Sequence, residues 1–383
     1  MRTYARERAT DHIASVAVKG LDLRSFWDAS GEAVSSVVPH YMAPCWFTLD
    51  PASLLATSHY DHGRIPELPP EMLAQEYYID DVHDMAGVAR SPNGLSTLHE
   101  ASGGDPSASP RWQANMRFGG DQELLVALRT HAGDAWGILG LYREPGQPQF
   151  DAGELGFLRD VAGLLAGGAR RGLLIGEAAD PEGPAAPGLV VLDEDWRVDS
   201  LTPGAERWLA EMPDGDWAGQ GKLPSAVLAV AGRALRTTEG DRAPGEVAIA
   251  RVLSTEGRWI LLHGAPLVAG GTRRVAVIAE AAHPARITPL LMTAYGLTDR
   301  EQDVTRLVLS GDSTAQIAQR LCVSPHTVQQ HLKSVFEKTG VRSRRELVGK
   351  VFFAHYEPRV RDNEQRAVEH RPLLGGPMAQ RRT

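Results

Sequence analysis

The chain has 383 residues, 43% hydrophobic and 23% charged, a balance typical of globular proteins and a length sufficient for two or three domains. Its net charge of −8 is unevenly spread, with −13 over residues 1–296, +3 over 297–356 and +2 beyond, as expected if contact with nucleic acid is confined to one end. Two cysteines, Cys45 and Cys322, exclude a disulfide framework and a thiolate-rich zinc site, and no apolar run approaches the roughly 20 residues that span a bilayer. No metal, no membrane association and a cytoplasmic location are the expectations.

Residues 1–19 read as an N-terminal extension. From 20 to 176 helical and strand signals alternate, with strands at ELLVAL around Leu124 and WGILGLY from Trp136 to Tyr142, then a long amphipathic helix from about Ala152 to Gly176. Small residues Gly163, Gly167 and Gly168 on that helix would admit a second helix, either from a dimer partner or, by the commoner use of such spacing, within the domain's own packing. Residues 177–187, rich in proline, form a linker. In 188–282, GLVVLDEDWRVDSLTPGAERWLAEM reads as strand, turn at Asp193–Asp195, strand, and a helix with Pro203 near its first turn; GEVAIARVLS, GRWILLHGAPL and RRVAVIAEA supply later strands. Residues 283–296 read as a second linker, and 357–383, polar and unpatterned, as a disordered tail.

The order over roughly 20–172, a late hairpin and a departing helix, resembles a GAF-type sensor fold, an antiparallel sheet flanked by helices. The opening of 188–282 resembles a PAS domain, although Leu201 and Thr202 stand where that pattern usually has an asparagine before the helix. Cys45, Trp46, His59, Tyr60 and His62 make the densest reactive and aromatic cluster of the first domain and are the candidates for ligand binding; the plainer reading makes them core and loop components.

Residues 297–356 are legible from their own chemistry. Thr298 and Glu301 form a capping box, Val304, Leu307 and Val308 follow on one face, and Gly311 ends that helix. Ser313 and Gln316 make a second box ahead of Ile317, Ala318 and Leu321. After a turn at Cys322 and Val323, Ser324 caps a helix with Pro325 at its first position, running to Thr339 and stopped by Gly340. Val328, Leu332, Val335 and Phe336 fall on one side, while His326, Gln329, Gln330 and Lys333 gather opposite. A polar stripe is ordinarily just a solvated face. Here it lies on the second helix of a pair joined by a tight turn, and its side chains can address base edges. Ser343 and Glu346 make a third box for a fourth helix, whose Val348, Val351 and Phe352 are candidates for a dimer contact.

The run LTDREQDVTRLVLSGDSTAQIAQRLCVSPHTVQQHLKSVFEKTGVRSRRELV resembles the LuxR or NarL helix-turn-helix throughout its length. That resemblance implies that Gln329, Gln330 and Lys333 meet bases, while Thr327, His331 and Lys338 approach phosphates; His326 joins the base-facing set from its place on the stripe, and Ser324 is a further phosphate candidate. With two glutamines in place of the more basic recognition helices of some relatives, affinity shifts toward Lys333, Lys338, Arg342 and Arg344. No Walker loop, dinucleotide fingerprint, HExxH or nucleophile elbow occurs, and GQGKL at Gly219–Leu223 lacks the spacing of a phosphate loop, so no enzyme is expected.

The whole reads as a multidomain α+β chain, with GAF-like and PAS-like antiparallel-sheet domains followed by an all-α four-helix LuxR-type domain. The expected function is a one-component transcriptional regulator binding double-stranded DNA as a homodimer, with RNA polymerase as a further partner, a small-molecule effector and no identified cofactor. The alternative is a scaffold whose sensor-like domains bind a protein.

Overall fold

The computed structural model describes residues 2–61, 69–174, 186–236, 247–269, 272–282 and 284–348. The chain divides into two compact units, one holding 1–175, 186–255 and 259–281, the other centred on 282–383.

The larger unit opens with helices α1 (Arg2–Val18) and α2 (Leu23–Ser35), followed by strands β1 (Cys45–Leu49) and β2 (Ala56–Tyr60). Short helices α3 (Pro70–Tyr78) and α4 (Met85–Arg90), strand β3 (Leu95–Thr97) and helices α5 (Leu98–Ala101) and α6 (Pro110–Met116) lead to the hairpin β4 (Gln122–Arg129) and β5 (Ala135–Arg143) and to the long helix α7 (Ala152–Leu174). The hairpin and long helix expected from sequence are present. These five strands form an antiparallel sheet in the order β2-β1-β5-β4-β3. Alternation along the strands sends Trp46, Leu124, Val126, Leu139 and Leu141 to one face, under α1, α2 and α7. Cys45, Phe47, Leu125, Ile138 and Tyr142 go to the other, under α3 and α4.

Residues 2–18 are thus no extension. Ala9, Ile13, Val16 and Ala17, spaced i, i+4, i+7, i+8, are buried in the same core as α7, and Arg171 donates to the Ala17 carbonyl at 2.7 Å. On α7, Gly168 is likewise met from within the chain, since a Cβ there would fall on the ring of Phe26 in α2, whereas Gly163 is exposed.

The unit continues with β6 (Gly188–Leu192), β7 (Val198–Leu201), α8 (Ala205–Glu211), α9 (Trp217–Gln220), α10 (Ser225–Arg236), β8 (Ile249–Leu253), β9 (Trp259–Ala269) and β10 (Thr272–Ala281). The second sheet has the order β7-β6-β10-β9-β8. GQGKL falls on the end of α9 and the turn after it, where Gly221 takes φ +69°, a conformation costly for residues with a Cβ. Eleven of the twelve residues of α10, Ser225 to Leu235, are buried, Arg233 among them, so its polar stripe does not mark a solvent face. It packs on the second sheet and on α3 at once, so closely that a Cβ at Gly232 would fall on the carbonyl oxygen of Ala74. The two sheets expected as separate domains therefore share one continuous core. Arg251 reinforces the join through Nη2 to Asp50 Oδ1 at 2.6 Å and Nε to Oδ2 at 2.9 Å, with Asp50 itself buried.

The smaller unit comprises α11 (Pro284–Ala294), α12 (Asp299–Leu309), α13 (Thr314–Leu321) and α14 (Pro325–Thr339), then a helical turn over 344–348. Residues 283–296, expected as a linker, contain α11, whose Met292 is buried with Leu297, Val304, Val308, Ile317, Val328, Leu332, Val335 and Leu347. Met292 anchors that segment to the helical core.

Candidate nucleic-acid interface

The capping boxes hold the helices of the smaller unit in register. Thr298 NH donates to Glu301 Oε2 at 2.7 Å and Glu301 NH to Thr298 Oγ1 at 3.4 Å; Ser313 and Gln316 repeat the arrangement at the start of α13. Each satisfies NH groups that a helix start leaves without partners. Helix α13 ends on Cys322, which takes the left-handed conformation at φ +54° and lets the chain reverse into α14 within three residues. Ser324 then accepts from Thr327 NH at 3.0 Å, Pro325 opens α14, and Gly340 at φ +68° closes it. The third box forms by half: Ser343 Oγ accepts from Glu346 NH at 3.1 Å, but Glu346 Oε2 accepts from Arg342 NH, one residue earlier than expected.

Val328, Leu332 and Val335 bury one side of α14, and His326, Gln329, Gln330 and Lys333 are exposed on the opposite side. His326 Nε2 and Gln330 Nε2 lie 3.2 Å apart. The stripe is short, continuous and carries a single fixed cation, Lys333.

The candidate phosphate contacts divide by exposure. Ser324 and Arg342 are exposed; Thr327, His331 and Arg344 are half-buried. Lys338 donates to Glu301 Oε2 at 2.6 Å, and Ser334 Oγ donates to Glu301 Oε1 at 2.6 Å. Burial would raise the Glu301 carboxyl, yet Lys338, Ser334 and the Thr298 NH outweigh it and hold it at about 2. This carboxylate, foreseen only as a cap, also fastens the first turn of α12 to the flank of α14. Lys338 thus has a structural partner as well as a path to solvent. Val348, a dimer candidate, packs against the unit's own core; Val351 and Phe352 lie outside the described residues.

The ligand candidates of the larger unit do not converge. Trp46 stacks on Trp27 at 4.6 Å beneath α2, whereas Cys45 and Phe47 face the other side of the sheet. His59 stacks on Phe47, and burial pushes it down to about 4; its backbone NH donates to Asp214 at 2.8 Å. Tyr60 donates to Asp28 at 2.6 Å, and His62 lies outside the described residues. Burial raises the Cys45 thiol far above its usual range, which leaves it unreactive. Period-two alternation of β1 and β2 separates what looked clustered in the sequence.

A different group is brought together instead. Arg111 donates to both oxygens of Glu123, at 2.5 and 2.9 Å, and pairs with Glu76; His83 Nδ1 lies 3.2 Å from Glu123 and its Nε2 is 3.0 Å from the Ser96 carbonyl. Burial favours a neutral Glu123, but Arg111 and His83 prevail and hold it at about 2. Of this group Arg111 and Glu76 border a cavity of about 80 Å³ against Cys45 and Phe47, walled by α3, α4 and α6. Among the described residues no trio of His, Cys, Asp or Glu is placed to hold a metal ion, and no helix is long and apolar enough to cross a membrane.

Residues 296–351 match the family model of bacterial regulatory proteins, luxR family, so the smaller unit carries a luxR-family helix-turn-helix domain. Over 52 residues the chain is 56% identical to a putative HTH-type transcriptional regulator of Mycobacterium bovis, covering 14% of this chain and 6% of that protein. Over 65 residues it is 37% identical to the transcriptional regulatory protein DesR of Bacillus subtilis, covering 17% and 33%. The chain therefore spans a third or less of the length of these relatives. Among solved structures, the VqmA dimer of Vibrio cholerae, described with LuxR-type receptors, aligns over 44% of this chain and 81% of its own at 15% identity and a TM-score of 0.21.

Proposed function

We propose that the protein is a sequence-specific transcriptional regulator that reads the major groove of double-stranded DNA with α14, under the control of a ligand or partner bound by the two-sheet unit. The observation that carries this reading is the exposed stripe His326, Gln329, Gln330 and Lys333 on a capped helix that follows α13 through a tight turn. Gln329 or Gln330 pairs with the N6 and N7 edge of adenine, and Lys333 with guanine O6 and N7. Ser324, Thr327, His331, Lys338, Arg342 and Arg344 serve the backbone. The mild net charge of the reader favours action as a homodimer, in which two copies double the contacts.

The larger unit is the sensor in this reading. Its two antiparallel sheets share one strand order and are flanked by helices, which supports GAF-like and PAS-like halves. Control requires only that the effector prefer one of two conformations of the protein.

The test uses a duplex selected by the wild-type chain from a random pool. Lys333→Ala and Gln329→Ala are each expected to weaken binding to that duplex by about 1–3 kcal/mol at fixed salt, while binding to random duplex changes far less. Equal losses on both duplexes would remove the base-reading assignment.

A further inference from the structure

The cavity beneath the first sheet has an unusual wall. Its volume of about 80 Å³ is several times the roughly 10–15 Å³ that one water requires. Much of the lining is soft and apolar, with Met42, Met72, Met85 and Phe47 prominent. Methionine adapts its shape to what it meets.

The charged groups on the wall are already engaged. Arg111 is held by Glu76 and Glu123. Asp81 accepts from the Ser109 hydroxyl at 2.8 Å and from the Arg111 NH at 3.0 Å, and Asp84 caps α4 through the Gly87 NH at 2.7 Å. A ligand bearing net charge would have to break one of these pairings or remain unpaired at high cost.

Asn115 is the exception. It lines the same cavity, is only 6% exposed, and its buried side-chain NH2 has no hydrogen-bond partner. A buried donor left unsatisfied destabilises a fold, and buried polar groups are nearly always paired. Leucine would fill the space without that cost.

We propose that this cavity is the effector site, and that it takes a small, neutral, largely apolar molecule whose single hydrogen-bond acceptor meets the Asn115 amide. The proposal rests on reading the larger unit as the sensor. It places recognition on α6 and the first sheet, away from the Cys45, Trp46, His59 and Tyr60 set as a group.

Two probes of nearly equal shape test it on the full chain: cyclohexanone, which carries an acceptor, and methylenecyclohexane, which does not. The wild-type protein is expected to bind the ketone about tenfold more tightly, read by titration calorimetry and by the shift of the Asn115 side-chain amide resonances. Asn115→Leu is expected to bind the two probes equally while unfolding at a higher temperature than wild type when unliganded. Ala114→Phe, which fills the cavity from α6, is expected to bind neither. Equal binding of the probes by the wild type, a ketone preference that survives in Asn115→Leu, or tighter binding of cyclohexylammonium or cyclohexanecarboxylate would each overturn the assignment. Binding to the selected duplex is measured with and without saturating ketone. If the Asn115 dependence holds but DNA affinity does not move, the site stands and control of DNA binding by a ligand falls.

Discussion

In the first sheet the central strands are buried along nearly their whole length, because α1, α2 and α7 lie over one face and α3 and α4 over the other. The second sheet has the same strand order, yet β8 alternates buried and half-buried residues, and Leu267 and Ile278 on β9 and β10 remain 40% and 38% exposed. Its covered face is packed by α10 so closely that a Cβ at Gly264 of β9 would fall on the Val230 carbonyl of α10. The first sheet keeps a cavity and a buried ionic cluster on the face toward that same core. The same strand order therefore carries two different packings: α10 lies against backbone on one sheet, and the other keeps a cavity of about 80 Å³.

The contrast can be broken most forcefully at the ionic cluster. Arg111→Met leaves Glu76 buried without its counter-charge and Glu123 with His83 alone, and is expected to cost about 3–5 kcal/mol at pH 7 in urea unfolding. The sign with pH follows from Glu123. Its carboxyl lies at about 2 in the fold against 4.5 for an ordinary glutamate, so its stabilisation is complete above about 4.5 and lost as pH falls toward 2. The penalty in Arg111→Met should accordingly shrink on acidification; a penalty constant from pH 7 to 3 would show that the guanidinium acts through packing alone.

A smaller effect is expected where α10 meets α3. Gly232→Ala gains about 1 kcal/mol of helix propensity but drives a methyl group into the Ala74 carbonyl, so a net loss of about 1–3 kcal/mol should appear in thermal unfolding. A stabilised variant would mean that α10 and α3 separate easily and that the shared core is looser than described. The mildest of the three is Lys338→Met in the helical unit. With the Lys338 side chain 34% exposed, solvent screening limits the loss to about 1 kcal/mol, again present above about pH 4.5 and fading toward 2 as Glu301 protonates. If Lys338 also neutralises a phosphate, the same variant reduces the salt dependence of DNA binding by about 0.9 in log-log slope.

Legibility in the sequence tracked how local the determining interactions are. The helices of the DNA-binding unit announce themselves within four or five residues, through Thr298 with Glu301, Ser313 with Gln316, Ser324 with Pro325, and Gly340. The late hairpin and α7 were equally visible through their periods. Helix α1 could have been found from Ala9, Ile13, Val16 and Ala17, a stripe diluted by the charged residues between them. Helix α10 carries Ser225, Arg233 and Arg236 at helical spacing, but Ser225 and Arg233 are themselves buried, so that stripe does not mark a solvent face. The cavity was hidden for another reason. Glu76, His83, Arg111 and Glu123 are spread over 48 residues and meet only when the sheet closes, while Cys45 and Trp46, adjacent in sequence, are sent to opposite faces. Glu301 shows the limit from the other side: its role as a cap is local and was read, but its grip on Lys338, 37 residues away, was not.

The hinge residue between α13 and α14 offers a practical handle. Of the chain's two thiols, Cys45 is buried and Cys322 is exposed, at the bend before α14 begins. A thiol-reactive fluorophore therefore has one accessible address in the natural sequence, a few residues from the face that would meet DNA. Its emission can report arrival of the duplex directly, without engineering any residue of the sensor.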